Sequence, residues 1–202
     1  YLSPIHFNPA KLPPGVKITA PGGLAKDLAK RFGLYKTMGW SIDTWSMSEE
    51  TIDEPTFLDD VTFTVQQYLK MMDGLLAEKD VKLYVQVYEF TDRVAHVMWR
   101  FLDPTHPAYD AEKAASFAPS VERNYVQMDE IVGDALKELG PDDLLLVCSD
   151  HGFSSWRRSI NYNTWLVEHG FLALKGGDEK QAALEQLFGQ GEFWPNVDWA
   201  RQ

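Results

Sequence analysis

The sequence is poor in the groups that would commit it to an oxidising compartment, a nucleic acid or a membrane. Cysteine occurs once, at Cys148, so no disulfide can form within the chain, and this fits a reducing compartment. Cations are scarce: 19 Lys and Arg stand against 30 Asp and Glu, giving a formal net charge of −11. A nucleic-acid polymer or an anionic bilayer needs a basic footprint, which this balance withholds. A small phosphate ester stays possible, because bound cations invert the sign of a site locally. No apolar run approaches the roughly 20 residues of a bilayer span. Tyr1 to Pro14 lacks the basic-then-apolar layout of a secretory leader. Repeats and low-complexity tracts are missing too. What remains is 202 residues, 45% of them hydrophobic, which is enough for one domain over residues 1–202 with a real core.

Proline is concentrated at the start. Pro4, Pro9, Pro13, Pro14 and Pro21, with Gly15, Gly22 and Gly23, predict an irregular entry. Leu24, Leu28 and Phe32 at helical spacing, stopped by Gly33, predict a short amphipathic helix. Tyr35 to Pro55 has no clean period and reads as loop, with Trp40 and Trp45 against the core or over a site. Val61, Val65, Leu69, Met72 and Leu76 form the apolar stripe of a long helix, with Thr56 as its N-cap. Val81 to Phe90 is rich in β-branched and aromatic residues and almost continuously apolar, the pattern of a strand in a sheet covered on both faces. Helical character returns from Asp92 to Phe101. Phe117, Val121, Tyr125, Met128, Val132 and Leu136 mark a second long helix, starting or bending near Pro119 and ended by Gly140-Pro141. Leu144 to Cys148 reads as a second buried strand, with Cys148 as a small core hydrophobe. Asn161 to His169 predicts a helix capped by Gly170, Phe171 to Leu174 a short strand, and Glu179 to Phe188 a last helix. Helix and strand alternating in this order predict an α/β fold, a mostly parallel sheet with helices on both faces.

Each main predicted strand ends in a carboxylate and an imidazole, and ligands of such sheets bind at the carboxyl ends of strands. Asp92 and His96 are four apart, so on a helix they share one face and can converge on one ion. Asp150 and His151 are adjacent; a regular strand would point them to opposite faces, but a turn eased by Gly152 can bring both to one cation. Mixed oxygen and nitrogen donors suit Zn²⁺, Mn²⁺ or Fe²⁺ better than Ca²⁺. Two such pairs close together would clamp a phosphoryl group. Each motif alone has a plainer reading, as a solvated helix face or as a turn. His6 and His106 read as loop residues, and His169 suits the C-terminal dipole of its helix. Arg157 and Arg158 either reach a phosphate or are solvated.

Thr91-Asp-Arg-Val-Ala-His-Val-Met-Trp-Arg-Phe-Leu-Asp103 with His106-Pro107, and Ser149-Asp-His-Gly-Phe153 with Ile160-Asn-Tyr-Asn-Thr-Trp-Leu166, carry a family likeness. In this order they resemble the type I phosphodiesterase/nucleotide pyrophosphatase branch of the alkaline phosphatase superfamily. The likeness runs from about Val81 to Leu174. It implies an alkaline-phosphatase-like α/β fold and a hydrolase of small phosphoesters. It also implies two divalent metal ions, zinc or else manganese, with Asp92 and His96 on one and Asp150 and His151 on the other. The superfamily also contains mutases and sulfatases. Its members further use an N-terminal Asp, a nucleophilic Thr or Ser and a later His, none of which finds a match here, so no catalytic residue is assigned. Two protein ligands per ion fall short of the usual three or four. The expectation is therefore the middle portion of a longer enzyme with an incomplete sheet, silent by itself and binding metal weakly or not at all. A non-catalytic α/β scaffold module is the alternative.

Overall fold

The computed structural model describes residues 6–78, 80–158, 160–175 and 197–200. Contacts divide the chain into two compact units, Tyr1–Trp156 and Arg157–Gln202. In the first unit, α1 spans Leu24–Phe32, as its period predicts, burying Ala25 and Leu28. Gly33 closes it at φ 87°, in the region where only glycine escapes a Cβ penalty. A single-turn helix, α2 (Thr44–Ser48), stands within the predicted loop. Asp43 nucleates it, accepting from Ser46 N at 3.0 Å and from Ser46 Oγ at 2.6 Å.

The long helix α3 runs over Glu54–Leu76 and begins before the predicted cap. Asp53 is the N-cap, and Thr56 donates its N–H to Asp53 Oδ1 at 3.0 Å instead of capping. Pro55 explains the earlier start, because in the first turn its missing N–H and preset φ suit a helix. α4 covers Phe90–Met98 and tightens into a 3-10 turn at Trp99–Phe101. α5 (Ala111–Phe117) is capped by Asp110, and α6 (Pro119–Glu138) opens on Pro119, as predicted. α3, α4 and α6 share one core. Phe57, Val61, Val65 and Met72 meet Phe90, Val94 and Met98, with Val121 and Ile131 closing from α6. Burying each large side chain of this kind stabilises by about 1.5–3 kcal/mol.

One buried charge joins the layers. Glu54, at the start of α3, accepts from Arg100 Nη2 at 2.9 Å and from Lys113 Nζ at 2.9 and 3.1 Å. It ties α3 to the 3-10 turn and to α5.

The predicted parallel sheet does not form among the described residues. The described residues contain no strand, and their only β pairing is an isolated antiparallel bridge between Leu174 and Val197, where a short strand is predicted. Val81–Glu89 carries no ladder, and Phe90 belongs to α4. Exposure alternates along it, as in any extended chain. Tyr84 and Tyr88 pack on the core, while Leu83, Val85 and Val87 are 75–81% exposed. Leu144, Leu146 and Val147 are 71–80% exposed, and Cys148 is exposed rather than a core hydrophobe. The physical reason is that β composition describes side chains suited to a pleated surface, whereas a strand also needs a hydrogen-bonding neighbour about 4.8 Å away. Here α3, α4 and α6 bury their apolar faces on one another, and among the described residues neither segment has a strand to pair with.

In the second unit, α7 spans Tyr162–Glu168. Asn161 caps it, accepting from Asn163 N at 3.0 Å and Thr164 N at 3.2 Å. His169 is its C-cap, with Gly170 following at φ 73°. The predicted helix Glu179 to Phe188 lies outside the described residues.

Candidate functional site

α4 presents Asp92 and His96 on one face, with His96 Nε2 3.4 Å from Asp92 Oδ1. The second motif comes to the same atom. His151 Nε2 lies 3.8 Å from Asp92 Oδ1 and 3.7 Å from Asp150 Oδ2. The four residues that the sequence singles out are thus neighbours. Asp92 Oδ1 is buried and has no hydrogen-bond partner, an unusual state for a carboxylate oxygen removed from water. Two donors on one tetrahedral zinc, at 2.0–2.1 Å each, stand about 3.3 Å apart. The Asp92–His96 separation is close to that, and the His151 separations are wider. Among the described residues, no three carboxylate, imidazole or thiolate groups are disposed around one common ion position.

Helix geometry sets the first motif; side chains set the second. Phe153 packs edge-to-face on the His96 ring, centroids 5.0 Å apart at 88°, and lies 5.2 Å from the Trp99 ring. Ser155 Oγ donates to Asp103 Oδ2 at 2.5 Å. Asp103 is itself held by its turn, its Oδ1 accepting from Thr105 N at 2.9 Å and Thr105 Oγ1 at 2.7 Å. Both anchors follow Asp150-His151 by a few residues and pull that segment onto α4 and its continuation. Sequence reasoning assigns Phe153, Ser155 and Asp103 no role. Their signal is position alone: Phe153 and Asp103 fall inside the two family-like blocks.

The His151 ring is oriented locally. Its Nδ1 lies 2.8 Å from Gly152 O. A carbonyl only accepts, so Nδ1 carries the hydrogen and Nε2 is the free nitrogen of the neutral ring. That bond and then the Asp150 carboxylate raise the His151 pKa above its ordinary value; burial opposes them, and Asp92 adds the smallest push upward. The three histidines outside the site are engaged elsewhere: His6 ties the entry to the Thr37 segment, and His106 and His169 serve their own turns. His6 Nδ1 accepts from Thr37 N at 2.9 Å, His106 Nδ1 accepts from Ala108 N at 3.0 Å, and His169 Nδ1 bonds Trp165 O at 2.9 Å.

Clefts of about 460 and 450 Å³ lie elsewhere, the first between α3, α4 and α6, the second beside His6, Lys36 and Trp40. Neither is lined by Asp92, His96, Asp150 or His151. In the second cleft Lys36 Nζ pairs with Asp60 Oδ1 and Ser41 O, and Ser46 with Asp43, while Asp60 Oδ2 is buried without a partner; no imidazole other than His6 lines it.

The family model described as type I phosphodiesterase / nucleotide pyrophosphatase matches residues 14–197. The chain belongs to that family. A type I phosphodiesterase/nucleotide pyrophosphatase is a phosphoester hydrolase acting on a small phosphoester, and the match encloses both Asp/His motifs and their anchors. No curated protein and no solved structure matches the chain. No helix of the described residues is long and apolar enough to cross a membrane.

Proposed function

We propose that this family member hydrolyses phosphoesters with two divalent ions, zinc or manganese, one held by Asp92 and His96 and the other by Asp150 and His151. The observation that carries the reading is Asp92 Oδ1, buried and without a hydrogen-bond partner between the Nε2 atoms of His96 and His151. A buried carboxylate oxygen left bare beside two imidazole nitrogens is stabilised by a cation. The donor set, carboxylate plus imidazole, suits the named metals. Such ions, when bound, polarise the phosphoryl group and stabilise charge on the attacking and leaving oxygens.

The chain's own residues divide the remaining work. α4 holds Asp92 and His96 in a fixed register, so one donor pair is preorganised. Gly152 O fixes the His151 tautomer and leaves Nε2 as the donor nitrogen. Phe153 packs against the His96 ring and limits its rotation. His151 and Asp150 are largely open to solvent, which leaves room for a substrate. A raised His151 pKa means the ring sheds its proton only at higher pH, so ion affinity falls as pH drops. With no Thr or Ser assigned as nucleophile, these 202 residues are expected to be silent in turnover.

Equilibrium dialysis against Zn²⁺ and Mn²⁺, followed by elemental analysis, tests the ligands. The 202-residue chain is expected to take up these ions weakly at high ion concentration, and bound metal to drop further in Asp92→Ala and in Asp150→Ala; metal content unchanged by both would sink the assignment. In a phosphodiester and phosphomonoester screen, the 202-residue chain is expected to leave bis-p-nitrophenyl phosphate intact. Turnover that Asp150→Ala abolishes would show that the chain carries its own nucleophile.

A further inference from the structure

Asp92 has two oxygens in different surroundings. Oδ1 faces the imidazoles, while Oδ2 lies 3.5 Å from Arg93 Nη1. Neighbouring residues on a helix do not face one another, so this approach needs a cause outside the α4 backbone. Arg93 is gripped from two other directions. Its Nε donates to Glu89 Oε2 at 2.9 Å, one helical turn back. Its guanidinium carbon lies 3.6 Å from the Trp40 ring centroid. Glu89 is anchored in turn: its Oε1 accepts from Ser41 N at 3.1 Å and Ser41 Oγ at 2.8 Å, and Ser41 is buried. The indole face and the Glu89 carboxylate leave the planar guanidinium little freedom, and an N–H edge remains for Asp92.

We propose that Arg93 is a positioning residue for Asp92, clamped by Trp40 and Glu89 so that Oδ2 is drawn aside and Oδ1 is aimed at His96 and His151. This rests on the reading of Asp92 as a metal ligand. The clamp joins the Trp40-Ser41 segment to α4, so packing of that segment is felt at the site. Arg93 touches no reacting atom. It selects one orientation of the carboxylate before any ion arrives, and it offsets part of the negative charge that Glu89, Asp92 and Asp150 bring together.

The test measures Zn²⁺ affinity by isothermal titration for the parent, Arg93→Met, Arg93→Lys and Asp92→Ala. It also records imidazole ¹H–¹⁵N spectra and thermal midpoints of the ion-free proteins. Arg93→Met is expected to weaken Zn²⁺ about tenfold, the lower end for loss of an outer contact to a ligand. It should also shift the ion-free His96 and His151 ring signals. Arg93→Lys should recover only part of the affinity, because an ammonium cannot lie flat on Trp40 while bridging two carboxylates. Unmoved ring signals and unchanged affinity, with only a lower thermal midpoint, would overturn the proposal and leave Arg93 a structural anchor. Full affinity in Asp92→Ala would instead defeat the underlying reading. Lost affinity in Asp92→Ala with none lost in Arg93→Met defeats the positioning role alone.

Discussion

Phe153 does for the second motif what helical spacing does for the first. Its ring meets His96 and Trp99 at once, and no backbone pairing holds Asp150 and His151 against α4. Phe153→Ala removes both contacts from a half-buried site. We expect a loss of about 1–2 kcal/mol in stability, read as a lower denaturation midpoint, together with weaker metal binding. Phe153→Leu keeps bulk but not the edge-to-face geometry and should fall between. Most of the candidate site was legible at this scale. A carboxylate and an imidazole at spacing four on a helix, and an adjacent pair before glycine, are local patterns. Phe153, Ser155, Asp103 and Arg93 were not legible, because each acts through a partner set by tertiary packing, not by spacing.

Among the elements, α3 shows how one charge can hold three pieces together. Glu54 is buried at its N-terminus between Arg100 and Lys113. Burial alone would raise its pKa. The Lys113 hydrogen bond and the charges of Lys113 and Arg100 outweigh that, and the folded value lies below the ordinary 4.5. A carboxyl depressed on folding stabilises the native state above its unfolded pKa, and that contribution is lost as pH falls through the folded value. Glu54→Gln should therefore be less stable than the parent at neutral pH by about 1–2 kcal/mol, the partners being partly solvated. The gap should narrow below about pH 4.5, as read from thermal melts across pH 3–7. Helices α1, α4, α6 and α7 were legible because a period of 3.6 is written in one stretch of sequence. α3 was legible too, although its cap lay at Asp53 instead of Thr56. The sheet was misread for the opposite reason: the apolar runs Val81 to Phe90 and Leu144 to Cys148 report side-chain type, while a ladder depends on a neighbour that no local pattern names.

For the molecule as a whole, two apolar segments stand in water on a chain of net charge −11. Leu83, Val85 and Val87 on one, and Leu144, Leu146 and Val147 on the other, offer unpaired backbone beside exposed aliphatic side chains. Such edges recruit other chains, and a charge placed among them blocks this. Light scattering and dye binding should rise with concentration for the parent, and should fall for the Val85→Lys, Leu146→Lys double variant. Equal scattering from the two would show that the segments are covered.

The contrast between helix and loop around Asp92 sets an order of events. Asp92 and His96 sit in α4, whose buried face is part of the core, so the helix keeps the two side chains together until the unit unfolds. Asp150 and His151 are held by a phenyl ring and a serine hydroxyl, contacts that release without disturbing that core. The candidate centre is therefore assembled last as the chain folds and comes apart first on warming, one half still in place when the other has left.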